Sequence, residues 1–167
     1  MNNVVLIGMP SSGKSAVGIR LAQLFGYGFI DSDLVIQGIE GKRLSKLIEE
    51  HGAEGFLKIE ERVNCGLDVS RCVIATGGSA VYSDPAMKFF KQNAKIVYLK
   101  ISAETVKNRI PDLVSRGVVM RGTLNSVDDL YRERIPLYEK YADITVECDS
   151  LTLDETASRC AALVRGN

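Results

Sequence analysis

The chain has 167 residues, enough for one compact domain with its own core and too few for two comfortable ones. Hydrophobic residues make up 46% and charged residues 25%, and 21 Lys and Arg balance 21 Asp and Glu. That balance excludes a global basic field for nucleic acid and an acidic disordered tail, so any anion binding must come from a local site.

In chain order, "NVVLIG" reads as a first buried strand. "KSAVGIRLAQLFG" reads as a helix, with Val17, Leu21, Leu24 and Phe25 at helical spacing and a stop at Gly26. "YGFIDSD" reads as a second short strand ending in two aspartates. "LSKLIEEHG" is helical up to Gly52, and "AEGFLKIEERVNCGLDVS" continues helical with Phe56, Ile59 and Val63 on one stripe. "RCVIATGG" is a third strand running into glycines. "DPAMKFFKQN" is a helix, with Asp84 as its cap and Pro85 at the first helical position. "AKIVYLKIS" is a fourth strand, and "SAETVKNRI" a helix capped by Ser102.

"PDLVSRGVVMRGTLNS" is rich in Gly, Ser and Arg and weakly periodic, and is expected to be a mobile segment. "SVDDLYRERIPLYEKYA" is helical, with Pro136 predicting a kink or boundary. "DITVEC" is a fifth strand and "TLDETASRCAALVRG" a closing helix. Apolar strands separated by helices predict a parallel sheet covered on both faces, with ligands beyond the carboxyl ends of the strands. The glycine loop after strand one, Asp31 and Asp33 after strand two, and Gly77 and Gly78 after strand three would all face one crevice.

The chemistry starts at "GMPSSGKS", which matches G-x-x-x-x-G-K-[ST] in full. Glycines let backbone N–H groups approach a polyanion, and the following helix aims its positive end at the same place. Lys14 would reach the β and γ phosphates of a nucleoside triphosphate, and the Ser15 hydroxyl would hold Mg2+. "FIDSD" sets two carboxylates two residues apart, on one side of the chain if it stays extended. Asp31 could then hold Mg2+, and Asp33 could accept from an alcohol and help remove its proton. The alternative is a pair of turn aspartates, one capping the next helix. N-K-x-D for guanine is absent, and neither "VIATGG" nor "IVYLKIS" ends in a Walker B acid, so the GTPase and motor readings are weak.

Cys65, Cys72, Cys148 and Cys160 form no CxxC pair, and His51 is the sole histidine, which speaks against zinc and for free thiols. "MNNVVLIGMP" carries no basic region and too short an apolar run for a signal peptide or membrane span, so the cytoplasm is expected.

Over nearly its whole length the sequence resembles the shikimate kinase family of P-loop kinases. The matching stretches are "LIGMPSSGKSAVG", "FIDSDLVIQ", "GAEGFLKIEE", "VIATGGSAVY", "RGVVMRG" and "RIPLYEKYAD". The resemblance implies a single kinase domain over residues 1–167, an α/β fold with a five-stranded parallel sheet and helices on both faces. An acceptor-binding segment would span about 32–62 and an arginine-bearing lid about 111–125. The implied reaction is transfer of the ATP γ-phosphate to the 3-hydroxyl of shikimate, with Mg2+, by a cytoplasmic monomer with no nucleic-acid or membrane partner.

Residue by residue, the resemblance places Ser11, Ser12, Gly13, Lys14, Ser15 and Ala16 around ATP, with Ser15 and Asp31 at the metal. Asp33, Gly77 and Gly78 would bind the acceptor, the glycines through N–H groups, and Arg134 would pair with its carboxylate. Arg116 would be the lid arginine at the transferring phosphate, with Arg121 as its rival, and Arg109 would flank adenine. Three departures stand out, and the first matters most. Leu57 stands where the family pattern "G-E-x-x-F-R-x-x-E" has an arginine for the acceptor carboxylate, Ser79 replaces the third glycine of "GGG", and the lid's "RPLL" reads "RGVV". Lys58 is a candidate substitute cation, although on a helix it points about 100° away from position 57. Two alternatives follow from Leu57: a kinase for another hydroxylated metabolite such as a sugar acid, or a protein of this fold that binds ATP without transfer.

Overall fold

A computed structural model describes residues 3–110 and 117–166. Five strands, β1 (Asn3–Ile7), β2 (Gly28–Asp31), β3 (Cys72–Ala75), β4 (Ala94–Lys100) and β5 (Ile144–Glu147), form one sheet. The order is β2-β3-β1-β4-β5 and every pairing is parallel. β1 lies at the centre, with Val5 opposite Ile74 on one side and Ile96 on the other. All five of its residues are buried, which is why the run is apolar without alternation. The edge strand β5 instead alternates buried and exposed residues.

The strands are joined by α1 (Lys14–Phe25), α2 (Ser32–Glu40), α3 (Leu44–Cys65), α4 (Asp84–Asn93), α5 (Ala103–Arg109), α6 (Val127–Tyr141) and α7 (Leu153–Gly166), with a short 3-10 turn at Ala80–Tyr82. α1 ends where the sequence predicts, in a left-handed Gly26 at φ 64°. Gly26 N–H donates to Gln23 O and Tyr27 N–H to Ala22 O, a Schellman closure. Ser102 caps α5 as expected, accepting from Thr105 N–H at 3.2 Å.

Several boundaries differ from the sequence reading, each for a local reason. β2 stops at Asp31, and Ser32 and Asp33 open α2, a helix the periodicity did not mark. Asp31 is the cap: its Oδ1 accepts from Asp33 N–H at 3.0 Å. α3 leaves helical geometry at Gly52 (φ 68°) and ends at Cys65, capped by Gly66, five residues before the predicted stretch does. Ser83, not Asp84, caps α4, because its shorter hydroxyl reaches Ala86 N–H at 3.1 Å and puts Pro85 at the second helical position. α6 runs through Pro136 without stopping. Pro136 and Arg132 are both exposed, so the carbonyl that loses its N–H partner faces water.

The main core lies on both faces of the sheet. A second apolar cluster, Ile36, Leu47, Phe56, Val63 and Val119, joins α2 and α3 to the segment after residue 117. Among the largest fully buried side chains is a charged one, Arg134. Among the described residues no helix is long and apolar enough to cross a membrane.

Candidate active site

The loop between β1 and α1 is shaped by backbone angles that side chains resist: Gly8 at φ 150°, Ser11 at 63° and Gly13 at 91°. A Cβ on Gly8 would stand 2.6 Å from Leu99 O. Gly13 caps α1 with no side chain, so the first-turn N–H groups of α1 remain for an anion. Lys14 folds back under the loop, and its Nζ donates to Gly8 O at 2.9 Å, Met9 O at 2.8 Å and Ser12 Oγ at 3.4 Å. Burial pushes its pKa down to about 8, against the pull of Asp33, Asp31 and Glu60.

The second wall comes from β2 and α2. Asp31 caps α2 with Oδ1 and accepts from Ser15 Oγ with Oδ2 at 2.6 Å. The capping role and the crevice-facing role, alternatives in the sequence, belong to the two oxygens of one carboxylate. Asp33 reaches the crevice from the first turn of α2 rather than from an extended strand. Burial, then the charge of Asp31, raise its pKa to about 6, while Lys14 holds it down. A carboxylate tuned toward neutrality suits proton acceptance from an alcohol.

The third wall is the turn after β3. A Cβ on Gly77 would lie 2.5 Å from Glu60 Oε1 and 2.7 Å from Asp33 Oδ1; one on Gly78 would lie 2.9 Å from Arg134 Nη1. The expected Gly77 N–H is taken, since it donates to Ser32 Oγ at 3.3 Å. Gly77 therefore serves the crevice through its missing side chain.

Arg134 closes the acceptor end. It is 1% exposed, donates from Nε to Tyr82 Oη at 3.1 Å and from Nη2 to Val119 O at 2.7 Å, and stacks 5.0 Å from the Tyr82 ring centroid. One turn further along α6, Tyr138 donates to Gly78 O at 2.6 Å. These contacts lock the helix to the glycine turn.

One crevice of about 280 Å3 therefore gathers Ser11, Gly13, Lys14, Ser15, Ala16, Asp31, Asp33, Gly77, Gly78 and Arg134, with Ser12 buried beneath. Other candidates lie elsewhere. Lys58 is exposed and does not line the crevice, because its place on α3 turns it outward while its neighbour Phe56 turns in. Arg121 sits 4.6 Å over Tyr82 and 3.6 Å from Glu133, in a separate hollow beside Ala53 and Glu54. Arg109 touches the loop only from outside, donating to Ser11 O at 2.9 Å. Arg116 lies outside the described residues.

Sequence reasoning missed Glu60, Tyr82 and Tyr138. Glu60 is 2% exposed, and burial followed by the charge of Asp33 pushes its pKa up to about 8. Two signals were available: Glu60 is the closing acid of the pattern "G-E-x-x-F-R-x-x-E", and it sits on the buried stripe of α3, four residues after Phe56 and three before Val63.

A loop that cradles polyphosphate, set opposite a buried acid and a buried arginine, defines a P-loop kinase for a small anionic alcohol. Comparison with known proteins gives the particular family. A sequence model described as "Shikimate kinase" matches residues 10–165. Shikimate kinase of Thermodesulfovibrio yellowstonii is 34% identical over 95% of this chain and 92% of that protein. That of Thiobacillus denitrificans is 34% identical over 87% and 81%. The structure of shikimate kinase from Acinetobacter baumannii in complex with shikimate superposes with a TM-score of 0.89 at 30% identity, covering 100% of this chain and 94% of that one. For the Aquifex aeolicus shikimate kinase the TM-score is 0.85 at 30% identity, covering 99% and 97%. The chain belongs to the shikimate kinase family, and its reaction is phosphorylation of shikimate by ATP.

Proposed function

We propose that this chain transfers the γ-phosphoryl group of ATP to the 3-hydroxyl of shikimate through Lys14, Asp33 and Arg134, within one kinase domain. The observation that carries the reading is that Asp33 shares one crevice with the phosphate loop and Arg134, with its pKa raised to about 6. Lys14 and the first-turn N–H groups of α1 hold the polyphosphate and offset the charge that moves during transfer. Asp33 accepts from the alcohol and takes its proton as the oxygen bonds to phosphorus and the ADP oxygen leaves. Arg134 offers its planar fork to the acceptor carboxylate, which displaces the Val119 carbonyl from Nη2.

Ser15 Oγ and Asp31 Oδ2, 2.6 Å apart, are hard oxygen donors that fit a Mg2+ ion completed by water and phosphate oxygens. When bound there, Mg2+ would offset charge on the β and γ phosphates. Residues of about 32–62 serve as the acceptor-binding segment and about 111–125 as the lid, with Arg116 as its arginine. With its four cysteines as free thiols, the chain is assigned to the cytoplasm, as a monomer.

The test is incubation with Mg-ATP and a panel containing shikimate, gluconate and other hydroxy acids, following ADP release and the phosphorus NMR spectrum of the product. Shikimate-dependent turnover giving the 3-phosphate is expected. Turnover only with another acid, or ATP binding without acceptor-dependent turnover, overturns the reading.

A further inference from the structure

Glu60 is a buried acid at the acceptor end that the transfer mechanism does not use. Its one hydrogen bond is from Ser79 Oγ at 2.8 Å, and its other oxygen, Oε1, has no partner among the described residues. That free oxygen is aimed at Gly77, as is Asp33 Oδ1, so two acid oxygens from α3 and α2 converge on a glycine that lines the crevice. Residue 57 lies one turn before Glu60 on the same face of α3. It is Leu57, packed against the apolar cluster of Ile36, Leu47, Phe56 and Val119. Positions 57 and 79 are two of the places where this sequence departs from its family pattern, one a turn before Glu60 and the other bonded to it: one removes a cation, the other adds a hydroxyl.

We propose that Ser79 is a positioning residue for acceptor recognition, its hydroxyl holding Glu60 against the Gly77 wall of the crevice in a chain whose residue 57 offers that acid no cation. The inference rests on the assignment of shikimate as acceptor and adds a determinant of its affinity. The groups facing Glu60 are Asp33 from α2, Lys14 from α1, Arg134 from α6 and Ser79 from the turn after β3. Burial, then the charge of Asp33, raise the pKa of the acid and so favour its neutral form, which is matched by a hydroxyl rather than by a charge. Leucine with a neutral acid carries the same net charge as arginine with a carboxylate, so the two substitutions compensate each other.

The experiment is a double-mutant cycle of S79A and L57R, read as separate KM values for shikimate and ATP, with S79T as the conservative rescue. S79A is expected to raise the shikimate KM about fivefold or more with the ATP KM near wild type, and S79T to restore it within about twofold. In the L57R background S79A is expected to cost less than about twofold, because the guanidinium then holds Glu60. An unchanged shikimate KM in S79A, or the same cost in both backgrounds, overturns the proposal. If L57R does not fold, E60Q takes its place, and S79A must then add nothing. Carbon NMR titration of the Glu60 carboxyl gives a reading independent of turnover: its midpoint should rise in S79A and fall in L57R, and a midpoint indifferent to Ser79 also overturns it. Absent shikimate turnover in the wild type would overturn the acceptor assignment instead, with the NMR titration still deciding the Ser79 question.

Discussion

The Ser15 hydroxyl donates to Asp31 Oδ2 across 2.6 Å, joining the first turn of α1 to the end of β2. The contact brings together two oxygen donors that the chain separates by 16 residues, with the capping of α2 left to the other Asp31 oxygen. Asp31→Asn keeps the cap, since asparagine serves there as well, but removes the charge that Mg2+ needs. The free Mg2+ giving half-maximal rate should rise about tenfold. An unaltered Mg2+ dependence would reduce Asp31 to a capping residue.

Lys14 has three acceptors beneath the loop and a pKa lowered to about 8, so its charge sits where only a polyanion compensates it fully. Lys14→Ala should lower kcat/KM by about a thousandfold or more. A coupled assay of ADP release checks this, and a near-normal rate would remove the phosphate-loop assignment.

Asp33 must be ionised to accept the alcohol proton, so the rate should rise with pH through about 6 and level off above it. Asp33→Asn should lower kcat by at least about a hundredfold and abolish that limb. Persistence of the limb in the asparagine variant would assign the proton to another group.

Arg134 is held by the Tyr82 hydroxyl and the Val119 carbonyl and has no room for a different shape. Arg134→Lys keeps the charge but loses the fork. The shikimate KM should rise about tenfold or more while ATP KM moves far less. Equal changes in both constants would argue for a general loosening of the crevice.

Asp33 and Glu60 both have folded-state pKa values raised above their ordinary 3.8 and 4.5, to about 6 and about 8. Their contribution to stability is full below about pH 4 and is lost as pH rises through 6 and then 8. Lys14, lowered from 10.5 to about 8, contributes in the opposite sense, and only above pH 8. Comparing urea midpoints of wild type and Glu60→Gln between pH 5 and 8, without ligand, isolates the acid. The wild type should lose stability relative to the variant across the whole of that window, levelling off near pH 8, by an amount on the order of a few kcal/mol. Parallel curves would show that Glu60 does not change protonation there.

Contiguity decided what could be read without coordinates. The central strands are buried on both faces, so β1 and β4 carry the apolar runs "VVLI" and "IVYL", and β3, "CVIA", is apolar throughout. The phosphate loop has its chemistry within eight neighbouring residues and is legible as a word. "DSD" is not, because the same letters serve a strand end or a cap with a first-turn acid, and only the Asp31 bond to Asp33 N–H decides. Pro136 reads as a breaker, yet an exposed carbonyl at Arg132 lets α6 continue. Glu60 escaped because its significance depends on Ser79, Gly77 and Asp33, brought to it by two other elements, the turn after β3 and α2.

Arg134 lies about four-fifths of the way along the chain, yet it plugs a pocket begun at residue 8. A ribosome must therefore finish α6 before the acceptor can be gripped at all. Any shorter fragment, whether nascent or clipped, holds the nucleotide loop without the anchor opposite it. Such a fragment could capture ATP without being able to commit it to an alcohol, so making the product requires nearly the whole polypeptide.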